Sequence, residues 1–287
     1  VGDDWQSIYR FAGSDISLMK NFRKYFGPLN TCIVDLDQTF RFNNMISSVS
    51  EKFITKNPDQ IKKSLKTLAY YDTPQVFIHW IPEEPVNATL KWFELNKDNK
   101  NFKGKSIQIL SRYTFNIPKM VDLKKFKNFW DGEILNPKTI HSSKGLEADI
   151  ILCNDFNSQS GAGFPSSKKD DPIINLVLAE NEPFPFAEER RLLYVAITRA
   201  KYQSYFITDP HAPSILCEEL STPEYKIINI DKEKYFGHKC PECKTGNIVP
   251  KKDLFYGCNN YPLCNYISPL CTECSDGQIE FIIFNDG

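Results

Sequence analysis

ADIILC at residues 148–153, followed by EERRLLYVAITRAKYQSYFI at 188–207, decides the fold. The first run is apolar, six residues long and too short for a helix, so it reads as a buried strand. The second has helical spacing over Ala187–Lys201 and ends in an apolar strand at Ser204–Ile207. A strand, a crossover helix and a strand predict parallel strands in one sheet. Working outward, Thr31–Leu36, Gln75–Ile81 and Ser106–Ser111 read as further strands. Asn43–Lys56, Thr89–Leu95 and Val121–Trp130 have helical spacing, and Asn57-Pro58 stops the first of these. Alternation of the two periods gives an α/β fold with a parallel sheet covered on both faces. Ser158–Pro172 is rich in Gly, Ser and Pro without periodicity and reads as a loop.

The chain has 287 residues, enough for one sizeable core and a small appendage. Its 35 Lys and Arg balance 36 Asp and Glu, so any binding of a polyanion must come from local sites. There is neither an apolar run of 18 residues nor a basic, apolar leader, and cytoplasm is the expected compartment. Six of the nine cysteines fall between Cys240 and Cys274. Paired CxxC spacing in a chain without an export signal reads as metal ligation.

Four segments stand in a fixed order: VGDDWQSIYRFAGSD at 1–15, LDQTFRFN at 36–43, TIHSSKGLEADIIL at 139–152 and EERRLLYVAITRAK at 188–201. Together they closely resemble motifs III, IV, V and VI of superfamily 1 DNA helicases of the UvrD/Rep type. The resemblance covers residues 1–205. It implies a RecA-like P-loop NTPase lobe, the second of two motor lobes. The 99 residues between Arg41 and His141 leave no room for the large inserted subdomain of many members, which fits the helicase IV branch. Val1 lies inside a motif, so the chain is expected to be the C-terminal part of a longer protein, with the Walker A loop and the Mg²⁺-binding acidic motif upstream. Gly104-Lys105-Ser106 imitates the end of a phosphate loop, but Asn99 stands where the first glycine is required.

A two-lobed motor hydrolyses ATP by bringing positive charge from one lobe onto a γ-phosphate held by the other. By resemblance Arg41 and Arg199 are arginine fingers, Phe40 stacks on adenine, Glu147 reaches the ribose, and Gln6 touches the γ-phosphate and relays its state to DNA. Arg190 and Arg191 read as structural. Tyr9 and Phe11 alternate, so a strand-like segment would present both on one face as a base-stacking platform; core packing is the competing reading. Ser142-Ser143-Lys144-Gly145 is expected to offer backbone amides, hydroxyls and Lys144 to a DNA phosphate. His141 resembles a residue coupling the two sites, and in ILSRYTFN at 109–116 Arg112 and Asn116 resemble a further DNA-contacting segment.

Cys240 and Cys243 are followed after 14 residues by Cys258 and after five more by Cys264. Four thiolates in two knuckles suit a closed, structural Zn²⁺ site. The context CPEC…FYGCNNYPLCNY resembles the C4 zinc ribbon of bacterial type I topoisomerases. Cys271 and Cys274 start the pattern again and are expected to belong to a second ribbon cut off by the end of the sequence; the alternative is that they compete for the first zinc. Phe255, Tyr256, Tyr261 and Tyr266 either stack bases or pack the small ribbon.

The expected organisation is 1–29 as the tail of the first lobe, 30–215 as the second lobe, 216–235 as a linker, 236–270 as the ribbon and 271–287 as the truncated repeat. The expected function is an ATP-dependent 3′ to 5′ DNA helicase using ATP with Mg²⁺, structural Zn²⁺, single-stranded DNA and duplex junctions, with no membrane partner. The alternative is a non-catalytic scaffold that binds nucleic acid or RNA polymerase.

Overall fold

The computed structural model describes residues 2–158, 163–166, 182–236, 240–251, 255–258 and 260–269. The chain divides into two units, residues 1–230 and 231–287.

The first unit is built on six strands: β3 (Val76–Trp80), β4 (Ile107–Ser111), β5 (Lys138–Thr139), β6 (Ala148–Cys153), β7 (Ala200–Thr208) and β8 (Ile228–Ile230). Their spatial order is β5-β4-β6-β7-β3-β8, and every pairing is parallel. β4, β6, β7 and β3 therefore lie inside the sheet and carry near-continuous apolar runs, as parallel strands covered on both faces must. Alternate residues Ile107 and Ile109, Ile150 and Leu152, and Tyr205 and Ile207 point to one face. Trp92, Phe93, Phe102, Phe126 and Trp130 cover it. On the opposite face, helices Asn44–Ile54 and Ala187–Ile197 pack on each other and on the central strands.

Local chemistry fixes the helix starts. Asn43 is fully buried; its Oδ1 accepts from the Met45 and Ile46 amides at 3.1 Å each, while its Nδ2 donates to the Lys201 and Tyr202 carbonyls. Pro85 opens helix Pro85–Asn96, where its missing N–H has no intrahelical partner to lose.

Several elements differ from expectation. Thr31–Leu36 is not a strand: Ile33, Val34 and Leu36 are exposed, and only Gln38–Thr39 (β1) pairs, with Lys66–Thr67 (β2). Apolar composition supplied that reading, but a strand needs a ladder partner, and among the described residues none pairs with 31–36. The long helix stops at Ile197 because Thr198 turns its hydroxyl back to the Tyr194 carbonyl and Ala200 already pairs with Ala148 in the sheet. Val121–Trp130 breaks into a turn of α-helix, Met120–Leu123, and a 3-10 segment, Lys124–Asn128. The expected linker 216–235 contains most of helix Ile215–Leu220 and edge strand β8, whose hydrogen bonds to β3 make it part of the sheet. Residues 2–29 are packed on this unit: Trp5 is fully buried and meets Tyr194 edge-on at 5.3 Å. Most of the expected loop Ser158–Pro172 lies outside the described residues, as do Cys271 and Cys274.

The second unit is a three-stranded antiparallel sheet of β9 (Ile248–Lys251), β10 (Phe255–Cys258) and β11 (Ile267–Pro269), with β10 central. Its buried centre is formed by Ile248, Cys240, Cys258 and Cys264, with the half-buried Cys243 packed against it.

Candidate nucleotide and nucleic-acid site

Two guanidinium groups converge where β7 begins. Arg199 is 1 % exposed, and its Nε donates to the Val195 carbonyl at 3.1 Å, Nη1 to the Leu146 carbonyl at 3.4 Å and Nη2 to Gln6 Oε1 at 3.3 Å. Burial, then the nearby charge of Arg41, lowers its pKa to about 10, so it is still a cation at neutral pH. Arg41 Nε donates to Glu147 Oε2 at 3.2 Å, and Lys201 Nζ lies 3.0 Å from Glu147 Oε1. Lys201 first, then Arg41, hold the Glu147 carboxyl below the usual carboxylate range. Three cations, Arg41, Arg199 and Lys201, against the Glu147 carboxylate leave a net positive cluster suited to a phosphate. Phe40, next to Arg41, is 78 % exposed, with its ring free to meet a flat ligand.

Gln6 joins this cluster to a second one. Its Nε2 donates to Asp3 Oδ2 at 2.6 Å, while its backbone carbonyl accepts from Lys144 Nζ at 2.9 Å. The Lys144 ammonium also lies over the Tyr9 ring, and the Tyr9 hydroxyl donates to the His141 carbonyl at 3.0 Å. Tyr9, Phe11 and His141 touch pairwise with ring centroids 5.4–6.1 Å apart, and Phe11 is 59 % exposed. The aromatic pair thus shares a face, but on a 3-10 turn at Arg10–Ala12 and not on a strand. Burial, then the charge of Arg112, lowers the His141 pKa to about 4, making it neutral at pH 7.

Other expected contacts are engaged internally. The amides of Ser142, Ser143 and Lys144 donate to Thr139 Oγ1 and to the Ile140 and His141 carbonyls, and the Ser143 hydroxyl is turned onto the Ile140 carbonyl. A single 3-10 turn closes on itself in this way, with the Ser142 hydroxyl donating to the Thr139 carbonyl and accepting from the Thr139 hydroxyl at 3.0 Å each, so the Lys144 ammonium, which spends one hydrogen on the Gln6 carbonyl, is the group with hydrogens left to offer. Arg112 is bidentate to Glu189, with Nη2 2.7 Å from Oε1 and Nε 3.1 Å from both oxygens. Asn116 is buried and donates to Asp155 Oδ2 at 3.0 Å. Both therefore shape a loop instead of facing solvent. Arg190 pairs with Glu219, and Arg191 with Glu182 and the Ser7 carbonyl, as structural residues would. Ser106 and Lys105 are also engaged, by Asp149 and the Tyr202 ring.

Sequence reasoning missed Asp155. It is fully buried and accepts from the Arg112 and Tyr113 amides and from Asn116; burial raises its pKa to about 6. The only signal was a lone acid after an apolar strand.

In the second unit the sulfurs of Cys240, Cys243, Cys258 and Cys264 all lie within 4.8 Å of one another. Two separations are 3.6 and 3.7 Å, against about 3.8 Å for the edge of a tetrahedron with Zn–S bonds of about 2.3 Å. The Gly246 and Asn260 amides point at the Cys243 and Cys258 sulfurs at 3.2 and 3.4 Å, where they would stabilise thiolates. The donor set fits a closed tetrahedral metal site.

Residues 122–209 match the UvrD-like helicase C-terminal domain. Over 227 residues the chain is 38 % identical to DNA helicase IV of Escherichia coli (strain K12), covering 79 % of this chain and 32 % of that protein. A match to RecBCD enzyme subunit RecB of Buchnera aphidicola subsp. Schizaphis graminum has 25 % identity over 59 % of this chain and 15 % of the relative. The chain thus spans a third or less of these relatives. A solved C-terminal domain of a possible DNA helicase from Lactobacillus plantarum WCFS1 aligns with TM-score 0.38 at 13 % identity, over 67 % of this chain and 98 % of that one.

Proposed function

Because the chain carries a UvrD-like helicase C-terminal domain at residues 122–209, we propose that it is the closing lobe of an ATP-dependent DNA helicase that moves 3′ to 5′ along single strands. The observation that carries this is Gln6, whose two ends touch the two halves of the site. Its side chain meets Arg199 in the cationic cluster, and its carbonyl meets Lys144 beside the Tyr9, Phe11 and His141 rings. A γ-phosphate gripped by an opposing lobe would draw Arg41 and Arg199 onto its developing charge. Arg41 would then exchange Glu147 for phosphate oxygens, freeing Glu147 toward the sugar, while Phe40 covers the base. Movement of Arg199 changes the hydrogen bonding of Gln6 and so the seat of Lys144 and Tyr9, which couples nucleotide state to a strand stacked on the aromatic cluster. Neutral His141 can pack against a base without bringing a buried charge.

We further infer that Cys240, Cys243, Cys258 and Cys264 hold one structural Zn²⁺, which supplies folding energy to a unit too small for an ordinary core. A DNA-acting role of this kind supports the cytoplasm as the compartment of this proposal.

The test is Arg199→Ala in the protein that joins this chain to its phosphate-binding lobe. ATP turnover at saturating single-stranded DNA should fall by about 10³-fold or more, the scale of an arginine finger, with strand binding retained. Unchanged turnover would remove the basis for the motor reading.

A further inference from the structure

The loop that follows β4 carries an arrangement that the site described above does not use. The rings of Tyr113 and Phe115 are stacked, with centroids 5.1 Å apart and planes 10° from parallel. The Arg112 guanidinium lies over the Tyr113 ring at 4.9 Å. Phe115 nonetheless remains 61 % exposed, so much of its ring is open.

This stack is built, not a loop tip that happens to be aromatic. Asp155 accepts from the amides of Arg112 and Tyr113 and from the Asn116 side chain. Asn154 donates to the Asn116 carbonyl and accepts from the Ser111 hydroxyl. The Tyr113 hydroxyl meets Ser166 Oγ at 2.8 Å, and Glu189 clamps Arg112. Both ends of the stack are thus anchored to buried groups while its outer ring stays in water. Rigid aromatic surface held open at entropic cost to the chain is what unpaired bases stack on.

Its position supplies the occupant. Glu188 and Glu189 are adjacent in the first turn of helix Ala187–Ile197; Glu188 accepts from the Arg10 amide at 2.8 Å and Glu189 from Arg112. One helical turn therefore bridges the Phe11 and His141 cluster to the Tyr113 and Phe115 stack. The charge of Arg112 reaches His141, which marks the two clusters as neighbours.

We propose that Phe115, backed by Tyr113, is a second base-stacking step for single-stranded DNA, next in line to Phe11. It binds an unpaired base through its π-face, without selecting sequence, because every base offers such a face. Arg112 braces the stack, and Asp155 is its positioning residue. The inference rests on the single-strand reading given above.

The test measures affinity of the 287-residue chain for fluorescently labelled oligo(dT) and for a strand of equal length with abasic residues. Phe115→Ala and Phe115→Leu should each raise Kd for oligo(dT) about tenfold, within the range for losing one stacked base, and Phe115→Trp should keep it. On the abasic strand the deficit should vanish. Intrinsic tryptophan fluorescence during denaturation checks that the variants stay folded. Parent-like binding by Phe115→Ala, while Phe11→Ala weakens it, would overturn the second step and leave the single-strand reading standing. An equal deficit on the abasic strand would assign the loss to loop disruption and also overturn it. Indifference to both phenylalanines would overturn the single-strand reading itself.

Discussion

Arg112 separates two accounts of the same residue, a DNA contact or a brace, and its removal tells them apart. Its guanidinium makes three hydrogen-bond contacts with Glu189, and the two side chains are 18 % and 10 % exposed. Breaking a fully buried pair from one side costs about 3–5 kcal/mol, mostly the desolvated charge left behind. Partial exposure lets water reach the orphan, and Glu189 keeps the Ser166 amide at 3.0 Å, so Arg112→Ala and Glu189→Ala should each cost about 2–3 kcal/mol. The double variant removes the orphan and should cost about 3 kcal/mol, leaving a coupling of about 2 kcal/mol. All four tryptophans, Trp5, Trp80, Trp92 and Trp130, lie in the first unit, so fluorescence-monitored urea unfolding reads that unit without interference from the second. With a slope of about 3 kcal/mol per molar urea, each single variant shifts the midpoint down by about 0.7–1 M. A coupling below about 0.5 kcal/mol, with stability unchanged and oligonucleotide affinity reduced in Arg112→Ala, would refute the brace and restore the direct contact.

Metal and proton linkage give further tests. Purified protein should carry about one zinc per chain, Cys258→Ser should lose it, and the tryptophan unfolding of the first unit should not change; full zinc in the variant would exclude this ligand set. Asp155 and His141 titrate in opposite senses. The Asp155 pKa is raised to about 6 on folding, so its contribution is complete below the unfolded value near 3.8 and is lost as pH rises through 6. That of His141 is lowered to about 4, so its contribution is complete above 6.5 and is lost as pH falls toward 4. In His141→Gln, stability should therefore rise as pH falls from 6.5 to 4.5; in Asp155→Asn it should fall, and parallel pH profiles for the two would show that neither group titrates this way. Gly132 completes the set: a Cβ there would come within 1.9 Å of the Lys105 carbonyl oxygen, so Gly132→Ala should destabilise the first unit by more than about 2 kcal/mol in the same urea assay.

The central sheet was legible because its strands are short apolar runs between turn signals, and β3, β4 and β6 fall within a residue of the runs that announce them. The edges were not. β5 and β8 have two and three residues, too few for periodicity to register, and are defined by the neighbours they pair with. Thr31–Leu36 failed in the opposite direction, with strand composition and no ladder partner among the described residues. The candidate site divides along the same line. Arg41, Arg199, Gln6 and Glu147 are near one another in space, as the resemblance of their segments implied. The engagement of Arg112 by a carboxylate 77 residues away, and of the 142–144 amides within their own turn, are tertiary and local geometry that residue type does not encode. The same holds for the open ring of Phe115.

Asn43 makes the spacing of the two guanidiniums a property of one amide. Its oxygen fixes where helix Asn44–Ile54 starts, three residues after Arg41, and its nitrogen holds the backbone two and three residues after Arg199. The side chain acts as a ruler between segments 158 residues apart in the chain, setting how the two guanidiniums are presented to one another. An aspartate at this position would cap the helix as well and could not grip the strand. Two arginines would remain, each on a short turn beside a regular element, with that link between their segments gone.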